Sequence, residues 1–181
     1  MKLEIATVPS PIGSVTFAVK DSTLCAMTFS DAWPQQLPRL QRRFSGVELR
    51  QTVDPARIAT RLRRYFDGDI TALDDIGVDP GGTPFQQRVW NVLGSIRPGS
   101  ILSYRSVAEA VGKPTAVRAV GAANGSNPIA IVIPCHRVIA ADGTLCGYGG
   151  GLERKRWLLL HEGVPLSESK GQPENRSATL F

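Results

Sequence analysis

The stretch Ser103-Tyr104-Arg105-Ser106-Val107-Ala108-Glu109-Ala110-Val111-Gly112-Lys113-Pro114-Thr115-Ala116-Val117-Arg118-Ala119-Val120-Gly121-Ala122-Ala123-Asn124 decides the fold. Its first half reads as a short helix from Ser103 to Val111, closed by Gly112. Lys113-Pro114 then opens a second short helix running through Thr115 to about Asn124. Two short helices around a tight Gly-Lys-Pro turn are the layout of a helix-turn-helix. Upstream, Phe85, Val89, Val92, Leu93 and Ile96 form an apolar stripe at helical spacing, ended by Pro98-Gly99. Downstream, Ile129-Ala130-Ile131-Val132-Ile133 reads as a buried strand stopped by Pro134. A glycine-rich loop, Gly147-Tyr148-Gly149-Gly150-Gly151, then leads into a last helix bearing Trp157, Leu158 and His161.

Further upstream the texture changes. Val15, Phe17 and Val19 alternate at period two, Leu24 to Phe29 follows as a second strand after Asp21-Ser22, and residues 2–8 add a third. Trp33-Pro34 breaks this pattern, and Leu37, Leu40 and Phe44 then space like a short helix. Asp54-Pro55 opens another helix through Ile58, Leu62, Tyr65 and Phe66 to Gly68. Residues 74–84 have no periodicity. The organisation expected is α+β: an N-terminal α/β domain over 1–80, a linker at 81–84, a mostly helical domain over 85–166, and a polar, disordered tail over 167–181.

Composition narrows the function. No apolar run is long enough to span a membrane, and the N-terminal residues lack a secretory h-region, so a cytoplasmic protein is expected. Three cysteines and two histidines are too few and too scattered for a disulfide framework or a zinc site, so no metal and no cofactor is expected. The net charge of +5 is uneven: residues 86–156 hold nine basic side chains against three acidic ones, whereas residues 1–85 balance. A basic segment beside a neutral one is either a solvated face or the footprint of a polyanion.

The chemistry lies in Ile133-Pro134-Cys135-His136-Arg137-Val138. A cysteine ending a buried run is, alone, a packed core residue. An ordinary thiol is only a few per cent ionised at neutral pH, and a reactive one needs a neighbouring base or positive charge. His136 and Arg137 supply both types directly, and Pro134 turns the thiol out of the strand. The sequence therefore points to an activated thiol.

At these residues the chain resembles the O6-alkylguanine-DNA alkyltransferases, the methylated-DNA–protein-cysteine methyltransferases. The likeness runs from Phe85 to Val164, through Phe85-Gln86-Gln87-Arg88-Val89-Trp90, Ser103-Tyr104, Arg118-Ala119-Val120-Gly121, Asn127-Pro128, Pro134-Cys135-His136-Arg137-Val138, Tyr148-Gly149-Gly150-Gly151-Leu152 and His161-Glu162-Gly163. It implies a ribonuclease-H-like N-terminal domain and a winged-helix-like C-terminal one. By resemblance, Cys135 accepts the alkyl group, His136 takes the thiol proton through a bound water, and Glu162 orients and charge-stabilises that histidine. Tyr104 donates a proton toward the departing base, and Asn127 braces the active-site segment. Ala116, Arg118, Ala119, Ala123 and Arg137 contact DNA, with Arg118 filling the gap left by a flipped base in minor-groove binding. Val138, Tyr148, Gly149 and Gly150 line the base pocket. The implied partner is duplex DNA carrying an alkylated base, bound by a monomer, with cooperativity along DNA left open.

Departures from the family pattern bear on the pocket. Gly149 replaces a hydroxyl residue and Ala130 stands where some relatives have proline, which implies room for larger alkyl groups. Cys146 lacks an adjacent proline and histidine and is not expected to be the acceptor. Two other classes remain open on the residues: a lesion-binding protein without chemistry, and a cysteine–histidine hydrolase that turns over.

Overall fold

The computed structural model describes residues 2–167 and 172–173. Its strands are β1 (Lys2–Val8), β2 (Val15–Lys20), β3 (Thr23–Phe29), β4 (Glu48–Gln51), β5 (Leu102–Ser103), β6 (Val138–Ile139), β7 (Leu166–Ser167) and β8 (Gln172–Pro173). The helices are α1 (Trp33–Arg43), α2 (Ile58–Phe66), α3 (Pro84–Ser95), α4 (Tyr104–Ala110), α5 (Val117–Gly125) and α6 (Leu152–His161). Two compact units emerge. The first runs to Gly81 and adds Pro128–Val132; the second holds Gly82–Asn127 and the chain from Ile133 onward. The tail expected to be disordered lies outside the described residues, apart from Ser167 and the Gln172–Pro173 strand.

In the first unit the sheet order is β3-β2-β1-β4, antiparallel except for the parallel β1–β4 pair. Residues Val15 to Val19 are all buried, although the alternation of Val15, Phe17 and Val19 marks only one face as apolar. A central strand covered on both sides buries its small Ala18 and its Thr16 as well. Leu3, Ile5, Ala18, Cys25, Ala26 and Leu40 make one core cluster, with Trp33, Phe44 and Val47 packed against it. Strand β4 gave no sequence signal because all four of its residues are exposed on the sheet edge. Trp33-Pro34 starts α1 rather than breaking the chain before it, since a proline in the first turn lacks an N–H that has no partner there anyway. Asp54 acts at a distance from its expected cap position. A short turn over Pro55–Arg57 intervenes, and its carboxylate accepts from the Thr60 N–H at 3.2 Å and the Thr60 hydroxyl at 2.6 Å, inside the first turn of α2.

The segment 129–133 is not a strand. It forms turns with one parallel bridge, Met27 to Ile129, and main-chain hydrogen bonds of 2.9 Å from Met27 N–H to the Pro128 carbonyl and 2.8 Å from Ala130 N–H to Met27. Ile131 takes a φ of 70°, an uncommon conformation for a β-branched residue. The helical domain expected to be continuous over 85–166 is thus interrupted by Pro128–Val132.

In the second unit α3, α4 and α5 pack on one another. Thr83 and Pro84, expected in the linker, cap and open α3. The Gln86 N–H donates to the Thr83 side chain, and the Gln86 side chain accepts from the Thr83 N–H, a capping box with proline in the first turn. Ser103 caps α4 by accepting from the Ser106 N–H at 3.0 Å. Gly112, at φ 71°, closes α4 with two backward bonds, Gly112 N–H to Glu109 and Lys113 N–H to Ala108, both 2.9 Å. That closure turns the chain sharply and sets α5 off in a new direction. Helix α5 begins at Val117, later than Lys113-Pro114 suggested, because Lys113–Ala116 is spent in the turn. The Trp90 indole N–H then ties α3 to α5 by donating to the Ala123 carbonyl at 2.9 Å. No helix among the described residues is long and apolar enough to cross a membrane.

Candidate functional site

Every expected catalytic residue lies in the second unit. After Pro134 the chain makes a single tight turn over Cys135–Arg137 and extends as β6, which pairs in parallel with β5 at the start of α4. Cys135, His136 and Arg137 are all buried, at 6%, 0% and 8% exposure. Asn127 clamps the entry to this turn: its Nδ2 donates to the Ile133 carbonyl at 2.8 Å. Asn124, from the buried face of α5, donates through Nδ2 to the Cys135 carbonyl at 3.5 Å.

Glu162 arrives from the end of α6. Gly163 (φ 83°) donates to Leu160 at 3.0 Å and Val164 to Leu159 at 2.9 Å, which closes α6 with Glu162 as its last cap residue. A carboxylate at a helix C-terminus opposes the helix dipole. Here it is also buried, so it needs strong partners. It has them. Arg137 Nε donates to Oε2 at 2.7 Å and Nη2 to Oε1 at 2.8 Å, while His136 Nε2 meets Oε1 at 3.0 Å. Arg137 Nη1 donates to the Ile96 carbonyl at the end of α3. Burial alone would raise the Glu162 carboxyl, but the hydrogen bonds and charges of Arg137 and His136 outweigh it and hold the group well below the usual carboxylate range.

This fixes the histidine tautomer. An ionised carboxylate only accepts, so Nε2 of His136 carries the proton. Burial lowers the imidazole's pKa, Glu162 opposes that, and Arg137 and Lys155 reinforce it, so the net direction is down and the ring is neutral. Its Nδ1 is therefore a lone pair, buried and without a hydrogen-bond partner among the described residues. The site holds a base.

Burial, rather than the cationic neighbours, dominates the surroundings of the Cys135 thiol. Burial pushes it up, and the opposing hydrogen bond from Asn127 and charge of Lys155 do not reverse the direction. Arg137 cannot help, because its charge is already committed to Glu162. For the same reason the expected DNA contact by Arg137 is withdrawn: the guanidinium is buried and turned inward. Ala123 is withdrawn too, since it is 3% exposed and faces α3. Arg118, Ala119 and Ala122 are exposed along one side of α5, and Ala116 is half-buried at its cap.

Around the thiol, Tyr104 Oη donates to the Gly147 carbonyl at 3.5 Å. Its hydroxyl is pushed well above the ordinary tyrosine value by burial first and then by Cys146 and Cys135, so it keeps its proton. Val138 is fully buried. Tyr148 is half-buried, Gly149 exposed, and a Cβ built at Gly149 meets nothing within 4 Å. Lys155 was missed in the sequence. It is 0% exposed, and its Nζ donates to the Val138 carbonyl at 2.6 Å and the Cys146 carbonyl at 2.8 Å, bridging the two ends of the loop between β6 and the glycine-rich segment. A lysine in the run Arg154-Lys155-Arg156 looks like a solvated charge. Only its position one turn into α6, on the side of the buried Leu158 and Leu159, hinted otherwise.

Fold and site define a class: an α+β protein with one buried cysteine backed by a histidine–glutamate pair inside a helical unit. Residues 84–164 match the family described as 6-O-methylguanine DNA methyltransferase, DNA binding domain. A methylated-DNA–protein-cysteine methyltransferase of Shigella flexneri is 49% identical over 131 residues, 72% of this chain and 77% of that protein. A protein of the same name from Mycolicibacterium paratuberculosis is 44% identical, covering 88% and 92%. The crystal structure of Mycobacterium tuberculosis OGT in complex with DNA superposes with a TM-score of 0.75 at 41% identity, over 88% and 92% of the two chains. The chain belongs to the methylated-DNA–protein-cysteine methyltransferase family.

Proposed function

We propose that this protein repairs alkylated DNA by moving the alkyl group from the O6 of guanine, and from the O4 of thymine, to Cys135, once per molecule. The observation that carries the assignment of residues is the contact of His136 Nε2 with Glu162 Oε1 at 3.0 Å, which leaves the buried Nδ1 without a hydrogen-bond partner among the described residues. His136 takes the thiol proton through a water as attack begins. The sulfur forms a bond to the alkyl carbon, the carbon–oxygen bond breaks, and its electron pair leaves with the base. Tyr104 donates a proton to that base, and the proton held by His136 restores the balance. No step regenerates the thiol, since that would require a nucleophile to attack the alkyl carbon of a neutral thioether and expel the Cys135 thiolate, a poor leaving group.

The Mycobacterium tuberculosis relative of known structure is in complex with DNA, and the positive surplus of the second unit suits the same partner. Arg118, with Ala116 and Ala119, faces the minor groove, where small residues allow close approach of the helix. The sheet order β3-β2-β1-β4 supports a ribonuclease-H-like first unit, and α4–α5 with the β5–β6 pair supports a winged-helix-like second one. The division at Gly81/Gly82 falls within the expected linker and supports a two-domain reading, with Pro128–Val132 grouped with the first unit. All site residues come from one chain, so a monomer suffices. Three free cysteines fit a reducing cytoplasm.

The reading is tested with duplex DNA carrying one labelled O6-methylguanine. One label per protein is expected, on the peptide containing Cys135. Zero labels would mean a lesion binder, many turnovers a hydrolase, and label on the Cys146 peptide alone a different acceptor. A second test separates base extrusion from chemistry. Flipping a base costs a few kcal/mol, so Arg118→Ala is expected to slow transfer from duplex DNA by about tenfold or more, while transfer from the free alkylated base is unchanged. Equal losses on both substrates would remove Arg118 from that role.

A further inference from the structure

Among the described residues, three buried side-chain polar atoms lack a hydrogen-bond partner: Asn124 Oδ1, His136 Nδ1 and Tyr148 Oη. Native folds leave few such atoms, because each costs free energy, and each calls for a physical reason. All three belong to one neighbourhood. Asn124 holds the Cys135 carbonyl, His136 follows Cys135 in the chain, and Tyr148 lies close enough to feel charge on Cys135. His136 Nδ1 has its reason in the proton transfer above. The phenol of Tyr148 has none there, as its ring alone would suffice for a pocket wall.

We propose that Tyr148 Oη is a catalytic hydrogen-bond donor reserved for the Cys135 sulfur, which it engages as the thiol becomes a thiolate. The inference rests on Cys135 being the reacting thiol. Tyr104 cannot serve the same purpose without leaving Gly147, and its hydroxyl faces the Cys146 side of the pocket. The Tyr148 hydroxyl is driven well above the ordinary tyrosine value by burial first, and negative charge at Cys135 drives it further, with Arg154 opposing. It therefore keeps its proton and can only donate toward a sulfur anion. A neutral thiol is a weak acceptor, a thiolate a strong one, and a thioether again weak. The bond thus exists chiefly between deprotonation and alkyl transfer. Two tyrosines divide the work: Tyr104 serves the departing base and Tyr148 the arriving sulfur.

Tyr148→Phe removes one oxygen and keeps the ring. The measurement is the pH dependence of Cys135 modification by methyl methanethiolsulfonate, read by peptide mass spectrometry. Losing a donor to the anion raises the midpoint, by about one pH unit. A more basic thiolate is also a better nucleophile, so the high-pH plateau rises by roughly threefold. Alkyl transfer at neutral pH falls by roughly threefold, the net of tenfold less thiolate and threefold higher reactivity. The melting temperature stays level or rises, because an unsatisfied buried group is gone. A midpoint that stays with the wild type, or a marked fall in melting temperature, would overturn the proposal. The thiol probe needs no DNA, so failure here is distinct from failure of the repair reading, which the wild-type transfer assay reports.

Discussion

Cys135→Ser is expected to abolish alkyl transfer, a loss of at least about a thousandfold, while duplex binding and the fold persist. Serine is nearly isosteric, and Asn127 still holds the Ile133 carbonyl at the entry to the turn. The chemistry does not survive the exchange. A buried thiol is already pushed up from its ordinary value, and His136 must remove its proton during attack. A hydroxyl is a far weaker acid than a thiol, so the same neutral imidazole cannot deliver a useful fraction of alkoxide. DNA binding is spared because the exposed side of α5, with Arg118 and Ala119, lies opposite the face that carries Asn124 to Cys135. The check is paired: transfer of label from methylated duplex, and a mobility shift with the same duplex. Measurable transfer to the serine variant would place the acceptor elsewhere. Loss of binding together with transfer would show that the thiol supports the fold.

Arg137→Met should have the largest effect on stability, a destabilisation of about 3–5 kcal/mol measured by denaturant unfolding. The variant strips the buried Glu162 carboxylate of its guanidinium, with His136 still beside it, in the unfavourable setting of a helix C-terminus. Two bonds to that carboxylate and one to the Ile96 carbonyl vanish together. The pH dependence gives an independent signature, and its sign is definite. Glu162 has a folded pKa depressed below its reference value of 4.5, so its contribution is full above that pH and is lost as pH falls through the folded value. His136 is also depressed, from 6.5, so protonation of the unfolded chain begins to penalise the fold as pH drops below that value. Both groups make the wild type less stable toward acid. In Arg137→Met the carboxyl rises toward its ordinary value and the acid slope below about pH 4.5 flattens. A variant as stable as the wild type, with the same slope, would show that the ion pair is not structural.

These two residues, adjacent in the chain, show where local reasoning succeeds and stops. The string Pro134 to Val138 is contiguous, so its chemistry is legible as text. Arg137 reads as one more base in a basic segment, because nothing within a few residues reveals a carboxylate 25 positions away. Ala123 reads as one of several small residues on α5, and which of them faces α3 depends on Trp90, 33 positions earlier. Lys155 sits between two arginines, and its burial depends on carbonyls of Val138 and Cys146 that converge only after folding.

By itself, the amino-acid order determined what needs only neighbours: the capping box at Thr83-Gln86, the serine cap at Ser103, the glycine closures at Gly112 and Gly163, and the nucleophile-and-base pair Cys135-His136. These depend on hydrogen bonds spanning three to five residues and on backbone angles that particular side chains permit. Tertiary structure alone decided that Glu162 points inward, that Arg137 is spent on it, that Pro128–Val132 belongs to the first unit, and that β4 pairs at the sheet edge. Each of those outcomes depends on burial and on partners distant in sequence. Periodicity registers an apolar face, but not which charged group that face will enclose.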